Sequence, residues 1–416
     1  MADIEVCAAV DGETQRVGLL RRHSSRARRE TYTFEYSESW LRYSGRFALE
    51  PHLQLTEGAF APLPSQQIFG AIGDSAPDTW GRRLMQRSER REAAKAGRPV
   101  RTIAEADYVL GVADAARMGA LRFRPVGETA FQAPAEGGVP AIIDLPRLLS
   151  SAQRILRDED TDEDWRLILA PGTSLGGARP KASVVDRLGR LHVAKFPKDD
   201  DEYSLETWEE IALRLAERAR IETPEHQLVS VAGKAVLLSQ RFDREGEVRI
   251  PFLSALALLG AADGQRASYP EIIDELGRCG SRTKADAMQL YHRVAFNVLC
   301  SNVDDHLRNH GFLRRDGAGW SLAPAYDLNP TPIDLKARVL STNIDLDEGT
   351  CSIGLLESAA GYFGLALKPA RQIIGEVARV TKGWRTVARQ VGASAQEIER
   401  MASAFEHPEL AHALAF

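Results

Sequence analysis

The sequence predicts an α+β protein in which a β-rich part precedes a helical part. Strand patterns are concentrated before Ile250, and helical periodicity dominates after it. The chain has 416 residues, which is well above the roughly 100 to 200 typical of one domain. We therefore expect two or three compact units.

The composition is that of a soluble globular protein, with 44% hydrophobic and 27% charged residues. Lys and Arg total 53 against 58 Asp and Glu, so the net charge of -5 does not favour nucleic acid or anionic lipid as a partner. One basic run is predicted to be a solvated loop between strands, and it contains Arg21, Arg22, Arg26, Arg28 and Arg29.

Cysteine usage and hydropathy favour a cytoplasmic location. The four cysteines lie far apart, without a CxxC pair or zinc-site spacing, which predicts reduced thiols at Cys7, Cys279, Cys300 and Cys351. The N-terminus has no basic segment followed by an apolar core, and the longest nearly apolar run, Pro251 to Ala262, is too short to span a bilayer. We expect neither export nor membrane insertion.

Three domains are predicted along the chain. From Ile4 to about Arg124, short strands and turns precede helical patches, and Pro125 to Pro140 has the composition of a linker. The predicted boundaries are 1–140 for an N-terminal subdomain, 141–248 for a β-rich lobe and 249–416 for a helical lobe.

The β-rich lobe is predicted to begin with a hairpin. Lys181–Val185 and Leu191–Phe196 have strand character and flank a turn-rich segment at 186–189. A helix should follow, because apolar residues recur at spacings of three and four, at Leu205, Trp208, Ala212, Leu215 and Ala219.

Two short strands complete this lobe, one around Val229 and one at 235–239, with Gly233 between them. Helical periodicity then takes over, for example at Ala287, Tyr291, Val294 and Val298. A small sheet with one helix, followed by a helical lobe, is the architecture of a two-lobed kinase.

The segment with the most informative chemistry follows the helix that ends near Cys300. Asp304 and Asn309 are five residues apart, as in the D-x-x-x-x-N loop that presents a catalytic carboxylate and a magnesium ligand in phosphoryl transfer. For this hexamer alone, a helix C-terminus whose Asp and Asn cap backbone groups is the better interpretation. The surrounding sequence reverses that preference.

A second carboxylate, Asp327, follows the apolar, strand-like run Leu322 to Tyr326, where a kinase carries a metal ligand. Magnesium prefers one or two protein carboxylates together with phosphate oxygens and water, so Asp327 and Asn309 are a sufficient protein contribution. These residues predict an Mg²⁺ site that ATP completes.

Upstream, Lys195 lies in an alternating strand from which its ammonium could reach the α and β phosphates. Glu209 shares a helical face with Ala212 and Ala216, so it is predicted to point at the sheet and hold Lys195. An exposed salt bridge on the helix explains Glu209 equally well.

Other motifs are weaker. The glycine-bearing segment Thr173 to Lys181 matches neither G-x-G-x-x-G nor G-x-x-x-x-G-K-[ST], so an ordinary turn is favoured. His306 and His310 lack an HExxH pattern or a third ligand, which favours a structural role over a metal site. Ser174 has no G-x-S-x-G context, so a hydrolase nucleophile is unsupported.

Taken together, these motifs resemble the HipA family of bacterial kinases. The quoted stretches are Ser174 to Lys181, Ala194 to Pro197, Arg241 to Arg244, Asn297 to Asn309 and Ala325 to Leu328, in matching order and separation. The N-terminal part is similar to that family's N-terminal subdomain at Val17 to Leu20, Phe34 to Tyr36 and Pro77 to Arg82. The resemblance covers nearly the whole chain.

The resemblance implies an ATP- and magnesium-dependent serine/threonine protein kinase. By position, Asp304 is the catalytic aspartate, Asn309 and Asp327 are the metal ligands, and Ser174 is the autophosphorylation site whose modification switches the kinase off. The ATP site implied with them comprises Ser174, Gly176, Gly177, Ala178, Lys181, Lys195, Gln240, Phe242 and His306, with the adenine hinge at Gln240 to Phe242 and Lys181 in a mobile phosphate loop.

The resemblance also implies a HipB-like helix-turn-helix antitoxin as partner and contact with DNA only through that antitoxin. A toxin–antitoxin module that restrains growth, in a dimeric assembly and with a protein substrate such as an aminoacyl-tRNA synthetase, is compatible with it. Asp305, beside Asp304, departs from some relatives and competes for the catalytic assignment; the offset to Asn309 favours Asp304.

Two alternatives stay open. A small-molecule kinase of the aminoglycoside phosphotransferase type uses the same lobes and metal ligands. A non-catalytic module would hold ATP or an antitoxin without transferring phosphate, although the presence of Lys195, Asp304, Asn309 and Asp327 argues against it.

Overall fold

A computed structural model describes residues 2–24, 30–132, 139–172, 179–315 and 317–416. The chain forms two compact units. Unit 1 contains residues 1–199, 230–234 and 238–253, and unit 2 contains residues 200–229, 235–237 and 254–416. The three predicted domain boundaries stay a prediction.

Unit 1 begins with a five-stranded antiparallel sheet of order β4-β3-β2-β1-β5. Its close packing explains the Val17-Gly18 motif, because a Cβ at Gly18 would lie 2.2 Å from the carbonyl oxygen of Glu35. The strands are β1 (Ile4–Val10), β2 (Glu13–Ser24), β3 (Glu30–Tyr36), β4 (Ala59–Phe60) and β5 (Leu121–Pro125).

The prediction of a solvated loop for the basic run was wrong where the structure describes it. Arg21 and Arg22 lie in strand β2, and the Arg22 side chain is only 6% exposed. It is paired with Glu30 at 2.8 Å and Asp107 at 3.2 Å, and such partners make burial of a guanidinium tolerable. Arg26, Arg28 and Arg29 lie outside the described residues.

The longest helix of unit 1 among the described residues is α3, with 17 residues. Asp78 caps α3 by accepting a hydrogen bond from the Gly81 amide at 3.4 Å, and the Trp80 indole donates to the carbonyl oxygen of Lys181 at 3.2 Å. The helices are α1 (Glu38–Arg42), α2 (Gly70–Gly73), α3 (Thr79–Lys95), α4 (Glu105–Leu110), α5 (Leu145–Leu156) and α6 (Asp162–Gly172).

The predicted hairpin is confirmed. Strands β6 (Lys181–Val185) and β7 (Leu191–Lys195) pair antiparallel, and Asp186 closes their turn by accepting from the amides of Leu188 and Arg190. The predicted strands after the helix are also present, and the sheet has the order β6-β7-β9-β8. The further strands are β8 (His226–Val231), β9 (Lys234–Gln240), β10 (Arg244–Glu245), β11 (Val248–Arg249) and β12 (Phe252–Ser254).

Unit 2 is mainly helical, as predicted. Its central helix α10 buries most of its residues from Leu290 onward, and the rings of Trp208, Trp384 and Phe405 pack together at centroid distances of 4.6 to 6.2 Å. The helices are α7 (Leu205–Arg218), α8 (Ala255–Leu258), α9 (Tyr269–Cys279), α10 (Thr283–Cys300), α11 (Ile353–Ala359), α12 (Leu367–Thr381), α13 (Trp384–Val391), α14 (Ala395–Arg400), α15 (Ala402–Phe405) and α16 (Pro408–Ala413).

Two strands, β13 (Gly311–Leu313) and β14 (Ser321–Leu322), form an antiparallel pair in unit 2. The strand-like run predicted from Leu322 to Tyr326 is therefore strand only at its first residue. All four cysteines are free thiols, which confirms the prediction from their spacing. Within the described ranges, no helix is both long and apolar enough to cross a membrane.

Candidate active site

The loop at 302–309 begins where α10 ends. Ser301 caps the helix in the left-handed conformation, with φ at 54°, which turns the chain away from the helix axis. Asn302 then donates from its side chain to the Asn297 side chain at 2.9 Å, so the first residue of the loop is fixed to the last turns of α10. The loop therefore starts from a rigid support.

Side chains in this loop alternate between the interior and the surface. Val303, Asp305 and Leu307 are buried, whereas Asp304 and His306 are exposed. This alternation is the pattern of an extended backbone, in which neighbouring side chains point to opposite sides. Asp304 and Asp305 consequently have different environments although they are adjacent.

Asp305 is a structural residue of the loop. Its carboxylate is 1% exposed and accepts hydrogen bonds from the Tyr269 hydroxyl at 2.5 Å and from the amides of Ser341 at 2.7 Å and Thr342 at 3.2 Å. Burial raises the pKa of Asp305 to about 8, although the hydrogen bonds from Tyr269 and Thr342 act in the opposite direction. With both oxygens engaged inside the protein, Asp305 is not available to a substrate.

Asp304 faces solvent with a side chain that is 53% exposed, and its Oδ1 lies 3.3 Å from the Lys336 ammonium. Its backbone carbonyl accepts a hydrogen bond from the Asn309 side-chain amide at 2.9 Å. This bond closes the five-residue span and directs the amide oxygen of Asn309 away from that carbonyl. Asp304 is therefore the carboxylate of the pair that a substrate hydroxyl can approach.

His306 and His310 differ in exposure, as Asp304 and Asp305 do. His310 is buried beside Asp305, with Nε2 3.1 Å from the Asp305 carbonyl and its ring 5.2 Å from that of Tyr269. Burial lowers the pKa of His310 to about 3, so it is a neutral core residue, in agreement with the structural role predicted for it. His306 is exposed on the side of the loop that also presents Asp304. Its assignment to the nucleotide site stays a prediction.

Asp327 is held next to the loop by its neighbours in sequence. The Tyr326 hydroxyl donates to the carbonyl of Arg308 at 2.6 Å, and the Asn329 amide donates to the Asn302 side chain at 2.9 Å. The Asn329 side chain also donates to Asp327 Oδ1 at 3.2 Å. These contacts fix both the place and the orientation of the Asp327 carboxylate.

The backbone of Asp327 is itself unusual, because its φ of 60° lies in the left-handed region that non-glycine residues rarely adopt. Its amide donates to Glu209 Oε1 at 3.1 Å, and Glu209, on α7, is 4% exposed. Glu209 therefore points inward, as predicted, and supports Asp327. Its predicted pairing with Lys195 stays a prediction, as does the phosphate role of Lys195 at the end of β7.

Asp327 and Asn309 supply two oxygen ligands of the kind that Mg²⁺ prefers, and both side chains are oriented by hydrogen bonds. Among the described residues, no group of three or more His, Cys, Asp and Glu side chains is arranged to hold a metal ion. The assignment of Asn309 and Asp327 as metal ligands stays a prediction.

The structure places Lys181 in a strand and not in the mobile loop that the resemblance implies, and its assignment to the nucleotide site stays a prediction. Lys181 is the first residue of β6, its side chain is 5% exposed, and its ammonium lies 3.9 Å from Asp78. Its strand partner in register is Lys195, and like charges at directly opposite positions require a counter-charge, which Asp78 supplies. The loop residues Ser174, Gly176, Gly177 and Ala178 lie outside the described residues.

The hinge predicted at Gln240 to Phe242 begins at the last residue of strand β9, and the Arg241 amide donates to the Leu191 carbonyl at 2.8 Å. The Phe242 ring lies 6.2 Å from that of Phe252. The Arg241 side chain turns inward, where it pairs with the fully buried Asp243 at 2.6 Å. Adenine contact by Gln240 and Phe242 stays a prediction.

Asp243 is the centre of a buried ionic cluster in unit 1. Arg241 and Arg244 each approach it to 2.6 Å, and the Gly119 amide donates to it at 2.7 Å. The two guanidinium groups also donate to the carbonyl of Arg117. The Arg241–Arg244 motif therefore fastens the hinge to the 116–119 segment, a role that we did not predict.

Several residues of the site were missed from the sequence. Tyr269 and Asn329 orient Asp305 and Asp327, and Lys336 contacts Asp304. Tyr269 and Lys336 lie more than 30 positions from the aspartates they contact, so no local pattern marks them. The one available signal was the alternation of Val303, Asp305 and Leu307, which predicts an inward-facing Asp305.

Comparison with known families gives two matches. Residues 8–105 match the model of the HipA N-terminal domain, and residues 173–384 match that of the HipA-like C-terminal domain, which alone spans more than half of the chain.

Two relatives are each named as a "Putative kinase". One, from Haemophilus influenzae, is 25% identical over 195 residues, covering 41% of this chain and 57% of that protein. The other, from Sinorhizobium fredii, is 27% identical over 334 residues, covering 72% of both. The match thus spans little more than half the length of the first relative.

A solved complex of HipA, HipB and operator DNA from Shewanella oneidensis MR-1 contains a chain with a TM-score of 0.70 and 18% identity, covering 99% of this chain and 96% of that one. This likeness confirms the predicted α+β, two-lobed kinase-like fold. With the two domain models, it shows that the chain belongs to the HipA family.

Proposed function

We propose that this chain is an ATP-dependent serine/threonine protein kinase and the toxin of a toxin–antitoxin pair. The proposal is based on the different roles of two neighbouring aspartates in the 302–309 loop. Asp305 anchors the loop from inside, while Asp304 faces solvent and shares the loop with Asn309. An accessible carboxylate on a rigid loop, next to oriented oxygen ligands, is what phosphoryl transfer requires.

In this proposal, Asp304 accepts the hydrogen bond of a substrate hydroxyl and takes its proton as the hydroxyl oxygen bonds to the γ-phosphorus. The bond from that phosphorus to the bridging oxygen breaks, and ADP leaves. Lys195 contacts the α and β phosphates. Positioning of this kind accounts for most of the catalysis, because the protein forms no covalent bond to phosphate.

Asn309 and Asp327 would hold Mg²⁺, which neutralises charge on the phosphates when it is bound. Glu209 and Asn329 keep Asp327 in its left-handed conformation with one oxygen already engaged. The support for this assignment is the oxygen-only chemistry of the two ligands.

The solved relative supports a protein partner. The Shewanella protein was solved with HipB and operator DNA, so we propose that this chain binds a HipB-like antitoxin and meets DNA through it. We further propose that Ser174 is autophosphorylated and that an aminoacyl-tRNA synthetase is a substrate to test first.

The test is transfer of labelled phosphate from ATP with Mg²⁺ to the chain itself and to proteins of a cell extract. Wild type should label Ser174, and Asp304→Asn should lower transfer by on the order of 100-fold or more. Asp347→Asn, an exposed carboxylate elsewhere in unit 2, is the matched control and should behave as wild type.

Equal labelling by wild type and Asp304→Asn would contradict the assignment of Asp304. Turnover of free small hydroxyl compounds without labelling of any protein would replace the protein-kinase proposal by the small-molecule alternative. ATP binding without any transfer would show a non-catalytic module.

A further inference from the structure

The segment 331–342, which follows Asp327 in the chain, is hydrogen-bonded at one end to Ser301 and at the other to the 302–309 loop. At its start, the Thr331 amide donates to the Ser301 carbonyl at 3.1 Å. At its end, the Thr342 hydroxyl donates to the Asp305 carbonyl at 2.6 Å, and Ser341 donates to the Asp305 carboxylate. The chain between these two anchors therefore has little freedom to move away from the loop.

The middle of this segment is fixed as well. The amides of Leu335 and Lys336 both donate to the Pro332 carbonyl, at 3.0 and 3.3 Å, which closes a turn. Two residues later, Arg338 donates to the Ser301 hydroxyl at 3.0 Å and to the Val298 carbonyl at 2.6 Å. The backbone of Lys336 is thus held between two fixed points.

From this turn, the Lys336 ammonium reaches back to Asp304 Oδ1 at 3.3 Å. The two side chains are 54% and 53% exposed, and an ion pair in that setting contributes about 1 kcal/mol or less to folding. The Lys336–Asp304 ion pair therefore adds little to stability, which does not explain why a fixed segment places a lysine here. A contribution to chemistry at Asp304 gives a stronger one.

Phosphoryl transfer places negative charge on the transferred group, and fixed cations beside it lower the barrier. The 302–309 loop contains no lysine, and its one arginine, Arg308, forms two hydrogen bonds with Asp263 at 2.8 and 2.9 Å. Lys336 supplies a primary ammonium at the catalytic carboxylate, and one contact to Asp304 uses only one of its three N–H groups.

We propose that Lys336 is a further residue of the active site, which orients the Asp304 carboxylate and donates a hydrogen bond to the phosphoryl group in transfer. This inference rests on the proposed function. It assigns to Lys336, outside the 302–309 loop, the positive charge beside the transferred phosphoryl group that the loop itself does not supply. The transferred phosphoryl group meets Lys336 only when it approaches the hydroxyl held by Asp304, so the interaction strengthens in the transition state.

The experiment measures kcat and KM for ATP in wild type, Lys336→Ala and Lys336→Arg, with thermal unfolding of each. Lys336→Ala should lower kcat by on the order of 10- to 100-fold while KM for ATP changes by less than about threefold. Lys336→Arg, which keeps the charge, should recover part of that loss. Lys368→Ala, an exposed lysine on α12, is the control and should match wild type.

A structural role would appear as a lower unfolding temperature without rescue by arginine, and that result would overturn the proposal. A kcat for Lys336→Ala within about twofold of wild type would also overturn it while leaving the kinase assignment intact. Wild type that transfers no phosphate, in contrast, would remove the proposed function and this inference together.

Discussion

Asp243 in unit 1 and Asp305 in unit 2 are buried to the same extent, but their side-chain partners differ. In unit 1, Asp243 is 0% exposed and lies between the guanidinium groups of Arg241 and Arg244. In unit 2, Asp305 is 1% exposed and accepts from a tyrosine hydroxyl and two backbone amides. Burial is thus the same, but only one site provides positive charge.

This difference sets the charge state of each carboxyl group. Burial would raise the pKa of Asp243, but Arg241 and Arg244 outweigh it and lower that pKa to about 2. Among the described residues, the largest influences on Asp305 include no cation, and burial raises its pKa to about 8. Asp243 therefore holds its backbone partner as an anion, whereas the raised pKa of Asp305 favours its neutral form.

The largest expected effect is at the charged site. Asp243→Asn would leave Arg241 and Arg244 buried without their anion, and removal of one partner of a buried pair costs about 3–5 kcal/mol. Urea unfolding should show that loss in the free energy of unfolding.

The matched control is Glu38→Gln, which removes a carboxylate from an exposed pair with Arg42 in the same unit. It should change stability by about 0.5 kcal/mol or less. Similar losses in the free energy of unfolding of the two variants would mean that the Asp243 cluster contributes no more to stability than a surface ion pair.

The neutral site should tolerate an amide. Asp305→Ala would leave the amides of Ser341 and Thr342 without their buried acceptor, at a cost of about 1–3 kcal/mol. Asp305→Asn keeps an oxygen for both amides, so its free energy of unfolding at pH 7 should stay closer to that of wild type. Equal losses in the two variants would show that Asp305 acts as an anion.

The two sites should also respond to pH in opposite directions. The folded pKa of Asp305 lies above its ordinary value of 3.8, so its contribution is complete below about pH 4 and is lost as pH rises to about 8, by at most about 1.4 kcal/mol per pH unit. The folded pKa of Asp243 lies below the ordinary value, so its contribution is present above about pH 4 and is lost as pH falls to about 2.

Unfolding temperatures measured from pH 3 to pH 9 test these opposite pH dependences of stability. Relative to Asp305→Asn, wild type should lose stability between about pH 4 and pH 8, and relative to Asp243→Asn it should lose stability only on the acid side. A difference between wild type and Asp305→Asn that does not vary with pH would contradict a raised pKa at Asp305.

Local patterns predicted much of this molecule and little of its buried polar structure. The hairpin and the helix α7 depend on neighbours in sequence, and the structure contains both. The burial of Lys181 and Arg22 was not predicted, and each has a partner far away in sequence, Asp78 and Asp107, about 100 and 85 positions from it. The identity of such distant partners decides whether a charged side chain is buried.

The smallest expected effect on stability is at the residue with the largest expected effect on catalysis. Asp304 adjoins Asp305, but its carboxylate is half-exposed and contacts only Lys336 among the described ion pairs, so Asp304→Asn should change the free energy of unfolding by about 0.5 kcal/mol or less. Phosphate transfer should nevertheless fall by on the order of 100-fold. A variant that loses activity together with stability would place Asp304 with Asp305 in the structural network, whereas loss of activity alone separates the two neighbouring aspartates by function.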